Sequence, residues 1–556
     1  MMHSVWRVHP SDPRRARALA QAVGVHPLTA QLLLNRKLES PEEAAQFLRP
    51  ALDALGPPWA LPDMARAVER LERAISRREP VLIFGDSDVD GLSASVILYE
   101  ALQERGALVR ARQSNRILDG YGLPRHLVQQ LARSATKLLI LVDCGTNQAA
   151  EVRELAARGI DTVIVDHHVP LEERARPCAL VNPHLGQGAG RGLCSAGLVF
   201  RMAQALLGPD DPARAEPFLD LAALGTLADC SPLIGESRFL VSAGLARIVR
   251  SDRPGLARLC EATQTCEPTP DHVVRRLVPR LNASGRLGDA SAIWHLLRRG
   301  DDGRLAERLA AAGEAHATTK QMHRRFIAEA EEQVNRLHFR DQFVMVVGRS
   351  GWHQGLMGPL ASQLAERYGR PAIAIAMDGP NCTGSGRSVP SLNLFAVLQA
   401  CQDLLVRFGG HAQACGLTVA RKHLDRFREL VNEEAKRTFG REGLVKTRTI
   451  DLELPLGGVA PGWVGEAERF APFGFANPRP TVVIRRLAIE VRSPRMARLS
   501  DGTTQVAARG SFSTLAGGGR YDVAAVPAVA DGEVVLTVSE VRASQPPAPA
   551  AAGTGS

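Results

Sequence analysis

Three carboxylates stand at every second position of one short segment: Asp86, Asp88 and Asp90. They follow the apolar residues 81–84, which are typical of a short buried strand, and Gly91 then permits a tight turn into an apolar helical run. Carboxylates this close repel one another unless protons or cations neutralise them. Because they offer only acceptor oxygens, they suit hard divalent ions such as Mg²⁺ or Mn²⁺. The alternative for this segment alone is a solvated acidic turn, or a single Asp that caps the following helix.

Three later segments end in side chains of the same kind. Asp143 follows a second apolar run, Asp166, His167 and His168 follow a third, and Asp229 closes a fourth. An Asp-His-His alone is a weak signal, because a histidine at a strand end is more often hydrogen-bonded than metal-bound. Four acidic ends in succession are a strong one, and they predict a metal site.

The elements that must position these groups are parallel strands. Residues 81–84, 138–142 and 162–165 are almost continuously apolar, as strands covered on both faces are. The segments between them are long enough for crossover helices, for example over residues 151–159. In such a βαβ series the carboxyl ends of the strands meet at one edge of the sheet. We therefore expect the acids and histidines to converge there.

Six motifs carry a resemblance to a known superfamily. The Asp-x-Asp-x-Asp-Gly run, Val-Asp-Cys-Gly-Thr, Val-Asp-His-His and Gly-Thr-Leu-Ala-Asp resemble the four phosphoesterase motifs of the DHH superfamily. Residues 280–286 and 409–416 resemble two further signatures, the second from the companion DHHA1 domain. The order of the motifs and the chain length resemble the RecJ family of bacterial single-strand-specific 5′→3′ DNA exonucleases. This likeness extends from about residue 6 to about residue 541.

The resemblance implies hydrolysis of single-stranded DNA to 5′-mononucleotides with two divalent ions, Mn²⁺ or Mg²⁺, in DNA repair and recombination. It implies that Asp143 bridges the two ions and that Asp86 binds through water at the edge of the site. The first ion has Asp88 as its other ligand. The second ion has three further ligands: Asp90, His167 and Asp229.

The resemblance also implies which side chains contact the substrate. His168 and His411 are expected at the scissile phosphate, with Arg280 offsetting its developing charge. Instead of contacting phosphate, His411 could form a hydrogen bond within its own loop. Arg116 could be a surface arginine whose hydrogen bonds are made within its own turn. The expected nucleic-acid contacts are Arg116, Tyr121, Arg286, Ser385, Arg387, Gly409 and Gly410.

We predict an α/β multidomain fold, with a parallel-sheet DHH domain, a long linker helix, a smaller α/β DHHA1 domain and a C-terminal OB-like β-barrel. The helix is expected over residues 305–337, with an interruption near Gly313. Five short strands are expected in the barrel, at residues 450–456, 481–491, 505–511, 521–526 and 533–541. The predicted divisions are a helical N-terminal segment packed on the catalytic sheet (1–77), the DHH domain (78–300), the linker helix (301–340), the DHHA1 domain (341–440), the barrel (445–543) and a disordered tail (544–556).

Composition sets outer limits on function. The net charge of +9 favours a polyanionic partner, and aromatic residues at 4% leave few platforms for stacked bases. The nine cysteines include no Cys-x-x-Cys pair, which argues against a disulfide framework and a structural zinc site. With no recognisable signal peptide or long apolar run, we expect a cytoplasmic monomer that does not associate with a membrane. The expected partners are single-stranded DNA, a helicase and a single-strand-binding protein.

Some positions depart from the family pattern. Ser87 stands where an aromatic residue is usual, Val89 where Ala is usual, and Phe84 where some relatives carry His. Phe84 cannot bind a metal as a histidine could, and the side chains at 87 and 89 are not expected ligands. Because every Asp and His expected to bind a metal is kept, a non-catalytic scaffold is disfavoured. A second alternative, a DHH phosphodiesterase of short oligonucleotides or cyclic dinucleotides, is disfavoured by the C-terminal barrel, which those shorter proteins lack.

Overall fold

The computed structural model describes residues 5–51, 55–208, 211–265, 267, 269–300, 303–337, 342–439, 447–513, 515 and 519–544. The chain divides into two compact units. One consists of the described residues within 1–51 and 445–556, and the other of those within 52–444. The predicted disordered tail lies, apart from Ser544, outside the described residues.

The strands are β1 (Val5–Val8), β2 (Val81–Gly85), β3 (Val109–Gln113), β4 (Leu138–Val142), β5 (Asp161–Val165), β6 (Ala179–Val181), β7 (Met345–Arg349), β8 (Ala372–Ala376), β9 (Asn381–Arg387), β10 (Leu405–Gly410), β11 (Ala414–Ala420), β12 (Thr447–Ile450), β13 (Leu452–Glu453), β14 (Val482–Ser493), β15 (Met496–Ser500), β16 (Gln505–Arg509), β17 (Tyr521–Ala530) and β18 (Glu533–Ala543).

The helices are α1 (Pro13–Val23), α2 (Pro27–Asn35), α3 (Pro41–Leu48), α4 (Met64–Ser76), α5 (Val89–Glu104), α6 (Arg125–Leu131), α7 (Ala149–Ala157), α8 (Ser195–Leu207), α9 (Leu219–Ala228), α10 (Gly235–Val249), α11 (Pro254–Ala262), α12 (Pro270–His272), α13 (Val278–Leu287), α14 (Ser291–Leu296), α15 (Leu305–Val334), α16 (Met357–Tyr368), α17 (Leu394–Ala400), α18 (Leu424–Phe439) and α19 (Pro461–Ala467). No helix in the described part of the chain is both long enough and apolar enough to cross a membrane.

The catalytic sheet is parallel throughout, in the order β3-β2-β4-β5-β6. The predicted strands are present as β2, β4 and β5, and the edge strands β3 and β6 were not predicted. Helices α5, α8 and α9 cover one face, and α6 and α7 cover the other. Because the central strands are buried on both faces, their sequence shows no alternation of polar and apolar residues.

A second sheet follows the long helix α15. Its order is β10-β11-β9-β8-β7, with only β7 and β8 parallel. Helices α15 and α16 pack on one face, and α17 and α18 on the other. The interruption expected near Gly313 is absent: α15 continues through it. One glycine costs a helix only about 1 kcal/mol relative to Ala, which the packing of its other turns offsets.

The C-terminal strands form a barrel in the order β13-β14-β15-β16-β18-β17, closed by pairing of β14 with β17. The predicted multidomain α/β class with an OB-like barrel is confirmed. Strand β15 was not predicted, because its alternation is carried by only Ala497 and Leu499.

The N-terminal segment is divided differently from the prediction of one helical segment over 1–77. The described residues up to 51 pack with the barrel: Leu19, Leu33 and Phe47 share a core with Trp463 and Phe470. Strand β1 also pairs in parallel with β12. Only α4, which begins at Met64, joins the catalytic core. The finer domain boundaries remain predictions.

Candidate metal centre and phosphate-binding cluster

Four element ends bring the predicted ligands together. Three groups have donor atoms within 4.8 Å of one another: Asp86 with Asp88 and Asp143, Asp90 with His167 and Asp229, and Asp143 with His167 and His168. Asp143 belongs to two groups and stands between the carboxylates of the first loop and the imidazole of His167. The arrangement suits two neighbouring ions that share one carboxylate.

The first loop is shaped by its own backbone. The Asp88 carboxylate caps α5 by accepting hydrogen bonds from Asp90 N and Gly91 N, each 3.2 Å long. A Cβ on Gly91 would lie 2.6 Å from the carbonyl oxygen of Asp86, so only glycine fits there. On the far side of the loop, Val89 N donates to Asn282 Oδ1 of α13 over 3.0 Å.

The N-terminus of α8 holds two of the carboxylates. Ser195 N and Ala196 N donate to the two oxygens of Asp90 over 2.9 and 2.8 Å, where the helix dipole also favours negative charge. The Ser195 hydroxyl donates to Asp143 Oδ1 over 3.0 Å. Asp143 itself has a left-handed backbone, with φ at 62°.

His167 faces three carboxylates from three different elements. Its Nε2 lies 3.4 Å from Asp143, 3.8 Å from Asp90 and 3.9 Å from Asp229. Asp229 ends α9, and Ser231 Oγ donates to its second oxygen over 2.7 Å.

Burial and mutual repulsion destabilise the ionised carboxylates of the centre, so that bound cations would stabilise them. Burial, then the Asp229 carboxylate, raises the pKa of Asp90 to about 6. Burial, then Asp90 and Asp88, raises the pKa of Asp143 well above its usual value. Burial also raises the pKa of Asp86, but Arg116 and Ser114 more than offset this, so it lies below the usual value. Carboxylate oxygens together with the His167 imidazole form a donor set that fits Mn²⁺ or Mg²⁺.

His168 is held beside this centre by a carboxylate outside the ligand set. Its Nδ1 lies 2.7 Å from Asp166 Oδ1, and the Tyr121 hydroxyl lies 3.1 Å from the same nitrogen. Burial lowers the pKa of His168, but Asp166 outweighs burial and raises it to about 9. Its ring stacks on that of His411 with centroids 5.9 Å apart and an interplanar angle of 19°.

Arginines from both domains gather next to the carboxylates. Arg116 contacts Asp86 and lies 2.9 Å from Asp88. Burial, then the nearby Arg116, lowers the pKa of Arg286 to about 10, with Asp88 and Arg387 also close to it. Arg387 donates to Ser385 Oγ over 3.1 Å, beside the start of α16. These side chains form an anion-binding cluster, which we call the arginine cluster: Arg116, Arg286, Ser385 and Arg387.

Several of the expected contact residues stand in local structure that their motifs do not reveal. Arg280 lies not in the arginine cluster but in a cavity of about 430 Å³ between α11, α13 and α15, beside Leu309. The segment around it is a helix rather than a loop, and six residues of helix turn Arg280 to a different face from Arg286. Ser385 and Arg387 lie on strand β9. Tyr121 places its hydroxyl at His168.

Sequence reasoning missed several side chains that hold the site. Besides Ser195 and Asn282, Ser114 Oγ donates to Asp86 over 2.8 Å, and Asp166 orients His168. The only sequence signal was the Cys-Ser-Ala-Gly run before an apolar stretch, which is typical of a helix start. It gives no hint that the first N–H groups of that helix point at a carboxylate.

Comparisons with known proteins agree with this geometry. A model of the DHH family, N-terminal domain, matches residues 80–226, and a model of the DHHA1 domain matches residues 341–437. The single-stranded-DNA-specific exonuclease RecJ of Dickeya dadantii is 33% identical over 486 residues, which are 82% of this chain and 82% of that protein. The chain belongs to the RecJ family.

Other members of the RecJ family extend the match. The Bacillus subtilis exonuclease RecJ is 32% identical over 87% of this chain, which spans 62% of that protein's length. The crystal structure of Thermus thermophilus RecJ in complex with Mn²⁺ matches with a TM-score of 0.83 at 28% identity, covering 98% of this chain and 80% of that one. A Mg²⁺ complex from the same organism matches with a TM-score of 0.76 at 26% identity.

Proposed function

We propose that this chain is a metal-dependent exonuclease that degrades single-stranded DNA from the 5′ end and releases 5′-mononucleotides, acting in DNA repair and recombination. The observation that carries the proposal is the arginine cluster directly beside the carboxylate–imidazole centre. One part suits the ions that hydrolyse a phosphodiester, and the other suits a second phosphate of the same strand.

The ligand residues divide between two ions, Mn²⁺ or Mg²⁺, as membership of the RecJ family suggests. Asp143 would bridge them, Asp88 would complete one side with Asp86 at its edge, and three residues would hold the other ion: Asp90, His167 and Asp229. When bound, such a pair lowers the pKa of a bridging water and stabilises the charge of a pentacovalent phosphorus.

The chain's own side chains supply the remaining chemistry. Burial lowers the pKa of His168, but Asp166 raises it to about 9, so the ring is protonated at neutral pH. Its Nδ1–H donates to Asp166, and its Nε2–H is free to donate to a non-bridging oxygen of the scissile phosphate. His411, stacked on His168, approaches the phosphate from the second domain. Its pKa is lowered by burial and then by His168 and His167, so at neutral pH it is an uncharged partner. A contact of Arg280 with the scissile phosphate stays a prediction; Arg280 also lines a cavity between α11, α13 and α15.

The arginine cluster supports the polarity. A terminal 5′-phosphate carries more negative charge than an internal diester and matches the forked geometry of guanidinium groups. If that phosphate is held by Arg116, Arg286, Ser385 and Arg387, the next phosphodiester along the strand is the one presented to the metal centre. Cleavage there releases one nucleotide with its 5′-phosphate.

Partners follow from the substrate. A single-strand-specific enzyme depends on a reaction that separates duplex strands, so we propose that a helicase supplies its substrate and that a single-strand-binding protein presents it. A cytoplasmic location and a monomeric state remain predictions, which cell fractionation and light scattering would test.

End-labelled single-stranded DNA tests the proposed function. With Mn²⁺, a strand labelled at the 5′ end is expected to release labelled mononucleotide at once, whereas a 3′-labelled strand shortens stepwise. Removal of the metal by a chelator is expected to stop both. Cleavage of dinucleotides alone would instead indicate a phosphodiesterase of short oligonucleotides, and inactivity on every substrate would indicate a binding protein.

A further inference from the structure

One face of the second sheet carries a row of positions almost without side chains. Gly409 of β10 pairs with Gly416 of β11, Gly416 pairs with Ser385 of β9, and Ser385 pairs with Ala374 of β8. Directly paired residues of antiparallel strands project from the same face of the sheet. The row therefore runs from two glycines at the sheet edge to a serine of the arginine cluster.

Helices bury one half of this face and leave the other half exposed. On β8, Ala374 is fully buried in a core with Trp352 and Leu360 of the α15–α16 side. On β10 and β11, by contrast, Gly409 and Gly416 are exposed, and a Cβ added to either would meet no atom within 4 Å. We call this uncovered part, Gly409 with Gly416, the glycine floor.

Folding does not explain the two glycines. Neither has a left-handed φ, so any residue could adopt the backbone. Neither is required by close packing, since the space above both is open. Glycine inside a strand weakens it and often marks a place where a ligand approaches closely.

The residues around the glycine floor connect it to the metal centre and to the arginine cluster. Beyond one end of the glycine row, His411 stacks on His168. On the other side, Arg407 reaches the catalytic domain, with its Nη2 3.6 Å from where a Cβ of Gly120 would lie. At the rear, α16 begins beside Ser385 and Arg387, with Nη2 of the arginine 3.2 Å from a Cβ position at Gly358.

The sheet face around the glycine floor has the size of one nucleoside. Thr418 pairs with Arg407 on one flank, and Ala414 pairs with Arg387 on the other. From Thr418 to Ala414 the strand advances by about 13 Å, and from Gly409 to Ser385 two strand spacings give about 10 Å. These dimensions accommodate a sugar with either a purine or a pyrimidine.

We propose that the glycine floor seats the sugar and base of the 5′-terminal nucleotide, and that its lack of side chains makes the enzyme indifferent to which base that is. The inference rests on the proposed function and adds Gly416, which is not among the expected contacts. Every base offers a flat face, and a bare sheet surface discriminates against none of them.

A side-chain series at Gly416 tests the proposal. An added Cβ at Gly416 meets no protein atom within 4 Å, so Gly416→Ala places one methyl group on the open floor. Gly416→Val places a larger side chain there, of a type that favours a strand. Release of the first nucleotide from 5′-phosphorylated single-stranded DNA is expected to fall by about tenfold or more for Val and less for Ala, as a displaced substrate loses alignment. The loss is expected to be greater for strands that begin with a purine, while the melting temperature and Mn²⁺ binding stay unchanged.

The control is Gly465→Ala, at an exposed helical glycine of the other unit that likewise has no atom near its Cβ position. This variant is expected to release a 5′-terminal purine nucleotide and a 5′-terminal pyrimidine nucleotide at the wild-type rates. Wild-type release rates in Gly416→Val, with an unchanged ratio of the rates for strands that begin with a purine or a pyrimidine, would refute the proposed nucleoside site. Loss of Mn²⁺ binding would refute it too, because Gly416 would then have a structural role. If the Val variant does not fold, the same ratio measured with the Ala variant decides. Wild-type protein that releases no nucleotide would instead refute the proposed function.

Discussion

Ser195 is the side chain that links the two halves of the metal centre. Its hydroxyl donates to Asp143, and its backbone N–H donates to Asp90. Residues that orient metal ligands in this way are typically worth about 10–100-fold in metal affinity or activity. We therefore expect Ser195→Ala to weaken Mn²⁺ binding by about 10-fold or more, measured by titration with electron paramagnetic resonance detection.

The matched control is Ser93→Ala, which removes an equally buried hydroxyl that has no hydrogen-bond partner. That variant is expected to bind Mn²⁺ like the wild type. Equal affinities for all three proteins would show that the Ser195 hydroxyl does not position Asp143.

Asp166 acts through His168 and binds no ion in the proposed arrangement. Asp166→Asn keeps the shape of the side chain but can present its NH₂ group to Nδ1, so that the ring turns or changes its tautomer. We expect kcat to fall by about 100-fold or more, in the range of a lost acid–base partner, while Mn²⁺ affinity stays the same. A variant with normal kcat would rule out the orienting role, and one with lost Mn²⁺ affinity would make Asp166 part of the metal site.

At the residue scale, the sequence predicted which side chains form the site better than it predicted which other residues contact them. The proposed ligands stand in short motifs that follow apolar runs, as Asp88 and Asp90 do at the turn from β2 into α5. Ser195 and Asn282 reach the site from elements distant in sequence, and no local pattern specifies such contacts. Arg280 and Arg286 stand in one short motif, yet helix α13 turns them to different faces, which the motif alone does not indicate.

At the scale of elements, the packing of α8 against α9 sets the room available to Asp90. A Cβ on Gly225 of α9 would overlap the Ala196 methyl group and lie 2.8 Å from Asp90 Oδ1. Gly225→Ala is therefore expected to lower the free energy of unfolding by about 1–3 kcal/mol, as overpacking does. Mn²⁺ affinity should fall with it, because Asp90 must move.

Chemical denaturation with Gly465→Ala as control measures this effect. At that exposed helical position Ala meets no atom and is expected to be neutral or to stabilise by up to about 1 kcal/mol. Equal stability and equal Mn²⁺ affinity of Gly225→Ala and the wild type would mean that α8 and α9 have more freedom than the packing indicates.

Elements were predictable where one physical cause dominates. The central strands β2, β4 and β5 are buried on both faces, so their apolar runs are unmistakable. Strand β9 shows no apolar run, because only the face that carries Cys382 is packed in a core. Polar residues such as Thr383 and Ser385 alternate along it with small residues. That is why no strand was predicted at Ser385 and Arg387.

At the scale of the whole molecule, one unit is assembled from both ends of the chain. Leu33 and Phe47 near the N-terminus share a core with Trp463 and Phe470. Deleting residues 1–51 is therefore expected to expose that core and remove the partner of β12, so that residues 447–544 lose amide protection. The unit within 52–444 should keep its own protection, since its core is separate.

Hydrogen exchange monitored by mass spectrometry distinguishes the two regions. Full protection of the barrel in the truncated chain would contradict the shared core. Sequence reasoning could not find this pairing: β1 and β12 are more than 400 residues apart, and only the folded chain brings Val5 beside Thr447.

The most direct test compares one single-stranded DNA in two forms, linear with a 5′-phosphate and closed into a circle, with Mn²⁺ present. Wild-type protein is expected to reduce the linear strand to mononucleotides and to leave the circle intact, because the circle has no terminal phosphate for the arginine cluster. Asp143→Ala is expected to degrade neither, since it lacks the bridging ligand. Nicking of the circle, or hydrolysis by the Asp143→Ala variant within a few-fold of the wild type, would contradict an exonuclease built on this metal centre.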